Sequence, residues 1–128
     1  MINNLELVSA ESVHFATVED VDAIRERLLA TSHVHEVGEP ADDEQALMRA
    51  IALTMNFPDY FGANWDAMDE ALCDLQPAPR RGVVLLLHHA THLWHKHPQT
   101  AGQLVETWLG AVEFWRERGV PFHLVFVW

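Results

Sequence analysis

The sequence holds one cysteine, Cys73, in 128 residues, which excludes an intrachain disulfide and any Cys-pair metal site. Its helical position suggests a small buried or boundary residue more than a reactive thiol. Basic residues are scarce: eight lysines and arginines stand against 19 acids, a net charge of −11. That balance argues against direct binding to nucleic acid or an anionic membrane and for a basic partner. No run of eighteen apolar residues occurs, and the opening Met-Ile-Asn-Asn-Leu-Glu-Leu lacks the basic-then-apolar pattern of a signal peptide, so the expectation is a cytoplasmic protein. The chain has no Gly-rich phosphate loop, no Gly-x-Ser-x-Gly and no evident histidine partner for its cysteine. Internal repeats, low-complexity tracts and interdomain linkers are also missing.

What is present suffices for one domain, with 49% hydrophobic residues to fill a core. Val13 to Ala16 reads as a strand. Thr17-Val-Glu-Asp20 fits a capping box, and Val21, Ile24 and Leu28 continue at helical spacing, which predicts a helix over about 18 to 30. Residues 1 to 12 carry weak signals and are expected to fray or to form a short edge element. His33 to Val37 resembles a strand closed by Gly38 and Pro40. Asp42 or Asp43 then caps a helix running to Met55, with Leu47, Ala50, Ile51 and Thr54 facing inward.

Val83 to Leu87 is an unbroken apolar run, as a strand covered on both faces requires. A short irregular or helical piece carries His88, His89, His92, His95 and His97 and ends at Pro98. Leu104, Val105, Trp108, Leu109, Val112 and Trp115 keep a 3.6-residue period, with Gly119 as the residue that closes the helix. Phe122 to Trp128 is a second interior strand. Trp108, Trp115, Phe122, Phe126 and Trp128 are assigned to the core. Strands alternating with helices predict a small α/β domain with a mainly parallel sheet of three to four strands and helices packed on it.

The most instructive stretch is residues 57 to 75. Pro58 pushes Phe57 out of the helical region, and Gly62 can take the positive φ of a tight loop, so 57 to 63 reads as a compact turn. Asn64 offers an N-cap, and Trp65, Met68, Leu72 and Leu75 form an apolar stripe. Asp66, Asp69 and Glu70 lie off the stripe, three and four apart, and project as one cluster of carboxylates. Helix-dipole attraction favours Asp66 alone, by up to about 1 kcal/mol. Like charges at i,i+4 cost roughly 0.2–0.5 kcal/mol, so Asp66 with Glu70 mildly disfavours the isolated fold. Residues 39 to 75 hold nine acids against Arg49 alone, whereas 76 to 128 have three acids and five bases. The ordinary account of such a cluster is a solvated acidic face; the sharper one is a surface built to meet positive charge.

The segment Phe57-Pro-Asp-Tyr-Phe-Gly-Ala-Asn-Trp-Asp-Ala-Met resembles the Pro-x-Tyr-Tyr-Gly-x-Asn-x-Asp-Ala-Leu signature of the barstar family, intracellular inhibitors of the secreted ribonuclease barnase. The match is dense over about twenty residues, and the order of elements from Asp42 to Trp128 is similar too. Residues 1 to 32 fall outside it as an added strand and helix, with 33 to 128 as the barstar-like part of a single domain. The resemblance implies an inhibitor without catalysis or cofactor, whose acidic helix stands where RNA phosphates would lie in a basic nuclease site. It implies no direct contact with nucleic acid or membrane. By position, Tyr60, Gly62 and Asn64 match the family's loop, Asp66 matches an interface aspartate, and Glu70 falls at the principal aspartate. Asp69 stands where the family has tryptophan, with Trp65 as a nearby aromatic. Phe114 and Arg118 occupy the places of two glutamates of the last helix, and Glu113 and Glu117 sit one residue, about 100°, away.

Two other chemistries are compatible with the residues. Asp66, Asp69 and Glu70 are candidates for holding Mg²⁺ or for acid and base work. His88, His92 and His95 have spacings that can share zinc on a helix, although His-His-Ala-Thr-His lacks the glutamate of a His-Glu-x-x-His motif.

Overall fold

The computed structural model describes residues 4–9 and 11–128. Its centre is a four-stranded, all-parallel sheet of β1 (Val13–Ala16), β2 (Ser32–Val37), β3 (Gly82–Leu87) and β4 (Phe122–Val127), in the order β1-β4-β3-β2. Every residue of β3 and β4 is buried, because successive side chains feed opposite layers. Val83, Leu85, Leu87, Leu124 and Phe126 join one apolar cluster, and Val84, Leu86, Val125 and Val127 join another.

The first cluster lies beneath α2 (Glu44–Thr54), α3 (Trp65–Leu72), α4 (Ala90–Lys96) and α5 (Pro98–Arg116). The second lies beneath α1 (Val21–Leu28) and the turn around Leu5. Leu5 is fully buried, while the Asn4 amide donates to the Ser9 hydroxyl at 3.2 Å and the Glu11 carbonyl at 2.9 Å. This part of the leader is therefore neither frayed nor an edge strand. Residues 1–3 and 10, which share that expectation, lie outside the described residues.

Most element boundaries fall where propensity puts them, and the exceptions have local causes. The helix expected over about 18 to 30 opens as a 3₁₀ turn, Val18–Asp20, because the Asp20 amide bonds the Thr17 carbonyl three residues back at 3.0 Å. Pro98 does not merely end the histidine-rich piece; it starts α5 at a position where its missing N–H is harmless. At the other end, Val120 and Gly119 donate to the Trp115 and Arg116 carbonyls, both at 3.0 Å, around a left-handed Gly119 (φ 72°). Trp108 is buried and stacked on Phe122 at 4.4 Å, as expected of a core aromatic. Trp128 is not: it is 41% exposed, stacked on the exposed Phe15 of the edge strand β1.

One polar pair lies inside the sheet. The His123 Nε2–H donates to the Leu7 carbonyl at 2.8 Å, which leaves its Nδ1 to accept from His14 Nε2–H at 2.9 Å. Burial, then the neighbouring His123, lowers the His14 pKa from 6.5 to about 4, and burial also lowers that of His123. Both rings take up protons more readily when unfolded, so stability is lost as pH falls from about 6.5 toward 4. The urea midpoint should drop between pH 7.5 and pH 5, and His14→Gln, which keeps a donor, should make that drop shallower; an unchanged drop would assign it elsewhere.

Candidate functional site: the acidic helix and its preceding bend

The bend begins at Asn56 (φ 58°) and buries Phe57, whose ring meets Phe61 edge-on at 5.2 Å. The Phe61 amide bonds the Pro58 carbonyl at 3.0 Å, closing a turn with Asp59 and Tyr60 at its tip. Tyr60 is consequently 85% exposed. The positive φ expected at Gly62 falls instead on Ala63 (φ 50°), in addition to Asn56. Gly62 answers a different constraint, since a Cβ there would lie a close 3.2 Å from the side-chain Nδ2 of Asn64. The Ala63 carbonyl is held by the Gln45 side chain at 2.9 Å, which fixes a conformation that costs a non-glycine residue roughly 1–2 kcal/mol.

Asn64 caps α3 as expected, its Oδ1 accepting from the Ala67 amide at 2.8 Å. Trp65 is half-buried against the main cluster and its indole N–H donates to Glu44 at 2.8 Å, tying α3 to the start of α2. The apolar stripe ends sooner than its spacing implies: α3 stops at Leu72 with Cys73 as cap, and Leu75 is buried from the loop beyond. The Trp115 indole N–H, donating to the Leu72 carbonyl at 2.8 Å, secures that end to α5.

Asp66, Asp69 and Glu70 are all exposed on α3, and among the described residues none forms an ion pair with an arginine, lysine or histidine of its own chain. They do not point one way. At about 100° per residue, Asp66 lies between the other two. Asp69 leans toward α5, its carboxylate placed so that a Cβ on Gly110 would be 3.7 Å away. Glu70 lines a hollow with Tyr60 and Gly62 on the opposite flank. The three make a ridge over an arc of about 100° of the helix surface, not a single point of charge. Asp74, four residues after Glu70 but past the end of α3, lines the same hollow.

Beside the ridge, Arg118 of the α5 terminus sits 3.5 Å over the Phe114 ring and donates to the Phe114 carbonyl at 2.8 Å. Glu113 is paired with Arg116 at 2.7 Å. Burial, then the Asp69 charge, raises the Cys73 thiol pKa, so the thiol stays protonated.

The metal readings lose their geometry. His88 precedes α4, so it does not share a helical face with His92; its Nε2 meets Glu36 at 2.8 Å instead. Among the described residues, no three His, Cys, Asp or Glu side chains converge on a point that could hold an ion. No helix among them is long and apolar enough to cross a membrane.

Fold and surface define a small α/β scaffold that presents an unpaired anionic helix behind a rigid bend. The family model described as Barstar (barnase inhibitor) matches residues 31–127, well over half of the chain, and the chain belongs to that family. No curated protein matches it. Among solved structures, it is similar to a chain in the structure of Drosophila ORC bound to AT-rich DNA and Cdc6, with a TM-score of 0.51 and 11% identity. That alignment covers 90% of this chain and 39% of the other, and at such low identity the likeness concerns the fold alone.

Two substitutions test the bracing of α3. Trp115→Phe should cost about 1–3 kcal/mol in urea unfolding, because it strands the Leu72 carbonyl. Ala63→Gly should gain up to about 1 kcal/mol by relieving the left-handed alanine. A neutral Trp115→Phe would show that this bond does not hold the helix.

Proposed function

We propose that the chain inhibits a small basic ribonuclease by seating α3 and its preceding bend in the nuclease's active site. A ribonuclease site must hold phosphate and stabilise developing negative charge, so it gathers arginine, lysine and histidine. A fixed ridge of carboxylates is complementary to such a lining. Family membership supports the general reading, and the observation that carries it to this surface is that Asp66, Asp69 and Glu70 stand exposed without internal cationic partners.

In this reading Asp66 and Glu70 meet active-site cations through charge-assisted hydrogen bonds, and Asp69 adds field from the α5 side. Tyr60 supplies rigid aromatic contact area, Gly62 and Asn64 shape the bend, and Trp65 contributes its half-buried ring while bracing α3. The inhibitor acts on protein, not on RNA or membrane, and performs no catalysis. It works in the cytoplasm, where it protects the cell from the nuclease as an immunity protein or antitoxin does. Residues before about 33 add β1 and α1 to the barstar-like part and cover the second face of the sheet.

Immobilised wild-type chain should retain ribonuclease activity from host extract and suppress it in solution. The charge-reversed Asp66→Arg/Glu70→Arg variant, with its fold verified by circular dichroism, should lose both effects by more than about a hundredfold, as loss of two desolvated charge pairs implies. Undiminished inhibition by the variant would refute the assignment of the surface.

A further inference from the structure

The strand β1 lies outside the residues matched to the family and forms one edge of the sheet. The Leu124 and Trp128 amides donate to the Ser12 and Ala16 carbonyls, both at 2.9 Å. Backbone polar groups of successive strand residues face opposite sides, so Ser12, His14 and Ala16 turn theirs toward β4, and Val13 and Phe15 turn theirs outward. Among the described residues, no loop, cap or side chain meets those outward groups.

Natural sheets guard an open edge with charge, proline or a covering element. The opposite edge is guarded in this way: on β2 the Glu36 carboxylate is held by Arg25, and the Thr54 hydroxyl donates to the Glu36 carbonyl at 3.2 Å. The β1 sequence, Val-His-Phe-Ala, holds no acid, lysine, arginine or proline. Phe15 is 52% exposed and stacks on Trp128 at 5.7 Å, so an open aromatic face adjoins the free backbone groups.

The register of those groups identifies the strand that fits them. In an antiparallel pair, residues directly opposite exchange both backbone bonds. A two-fold axis at His14 sets Val13 of each copy opposite Phe15 of the other, and every outward N–H and C=O of both strands then has a partner. The same operation brings the two Phe15 rings within diagonal reach on one face. On the other face it sets His14 against His14, and a pKa of about 4 leaves both rings uncharged near neutral pH. A four-residue edge and two half-exposed aromatics per copy fall short of the roughly 1,600 Å² of a standard interface, so the contact is weak and reversible.

We propose that β1 joins two copies of the chain edge to edge, as an antiparallel pair centred on His14 that continues the sheet from one molecule into the next. No residue of α3 takes part in the pairing, so the dimer presents two ridges. This inference goes beyond the inhibitor reading and does not depend on it.

The test follows the full chain by sedimentation equilibrium from about 5 μM to about 1 mM, a range that brackets weak association, with ¹⁵N-resolved hydrogen exchange at both ends. The mean mass should rise from one to two chain masses, with a dissociation constant on the order of tens of micromolar. The Val13 and Phe15 amides should exchange freely when dilute and become protected when concentrated, while those of His14 and Ala16 stay protected throughout. Added NaCl should tighten the dimer, because each copy carries a net charge of −11 and the paired strands carry none. Phe15→Lys, with its fold verified by circular dichroism, should weaken dimerisation by about tenfold or more, as charge on an edge does. Val13→Pro, which removes an outward N–H and no bond to β4, should do the same. A chain that stays monomeric throughout, leaving the edge to an extended segment of another protein, would overturn the proposal. So would dimers that salt weakens, that Phe15→Lys leaves intact, or in which the Val13 and Phe15 amides exchange as fast as in the monomer. Inhibition of a ribonuclease is decided separately, by the capture assay.

Discussion

An eight-residue helix cannot hold itself, and α3 additionally carries like charges along its outer face. Its fixation from outside is the constraint on which the surface depends. At the amino end the Asn64 cap, the Gln45 bond to the Ala63 carbonyl and the Trp65 bond to Glu44 act within a few residues of one another. At the carboxyl end a single buried bond, Trp115 to Leu72, ties the helix to α5. Met68 and Leu72, both fully buried, supply the packing between these anchors. A helix so braced meets a partner without ordering itself first, which lowers the entropic cost of association.

Among the described residues, four arginines form ion pairs, Arg25, Arg27, Arg116 and Arg118, and none of these pairs involves an acid of α3. Arg25 grips Glu36 with two bonds of 2.6 and 2.7 Å and also reaches Asp22, while His88 adds a third contact to Glu36. This grip, Arg25 first, holds the Glu36 carboxyl below its usual pKa range. Arg27 pairs with Glu6, and Arg116 with Glu113. Arg118 is occupied by the ring and carbonyl of Phe114. Glu36 of the sheet and Asp22 of α1 thus find cationic partners, and among the described residues Asp66, Asp69 and Glu70 of α3 do not.

The legible part of this arrangement is local. Caps at Asp43 and Asn64, the apolar runs of β3 and β4, and the glycine that closes α5 follow from neighbours in sequence, and the structure has them. What sequence reasoning misses depends on distant contacts. Leu5 looks like an isolated apolar residue until the sheet's second face covers it, and His123 looks like an interruption in an apolar strand until His14 and Leu7 satisfy it. Gly62 illustrates a right residue with the wrong reason: a Cβ there would crowd the Asn64 side chain, and the neighbouring alanine takes the positive φ. Periodicity overextends α3 to Leu75 because burial persists after the helix ends. The carboxylates were visible as a cluster, but their division between the α5 flank and the bend flank required the helix to be placed against its neighbours.

If α3 takes the place of RNA in a nuclease's catalytic cleft, as we propose, competition measures it directly. With the captured ribonuclease preloaded with an uncleavable dinucleotide, isothermal titration with the chain should show an apparent dissociation constant rising in proportion to dinucleotide concentration, as mutually exclusive binding requires. An unchanged constant in saturating dinucleotide, with both ligands bound together, would contradict the account.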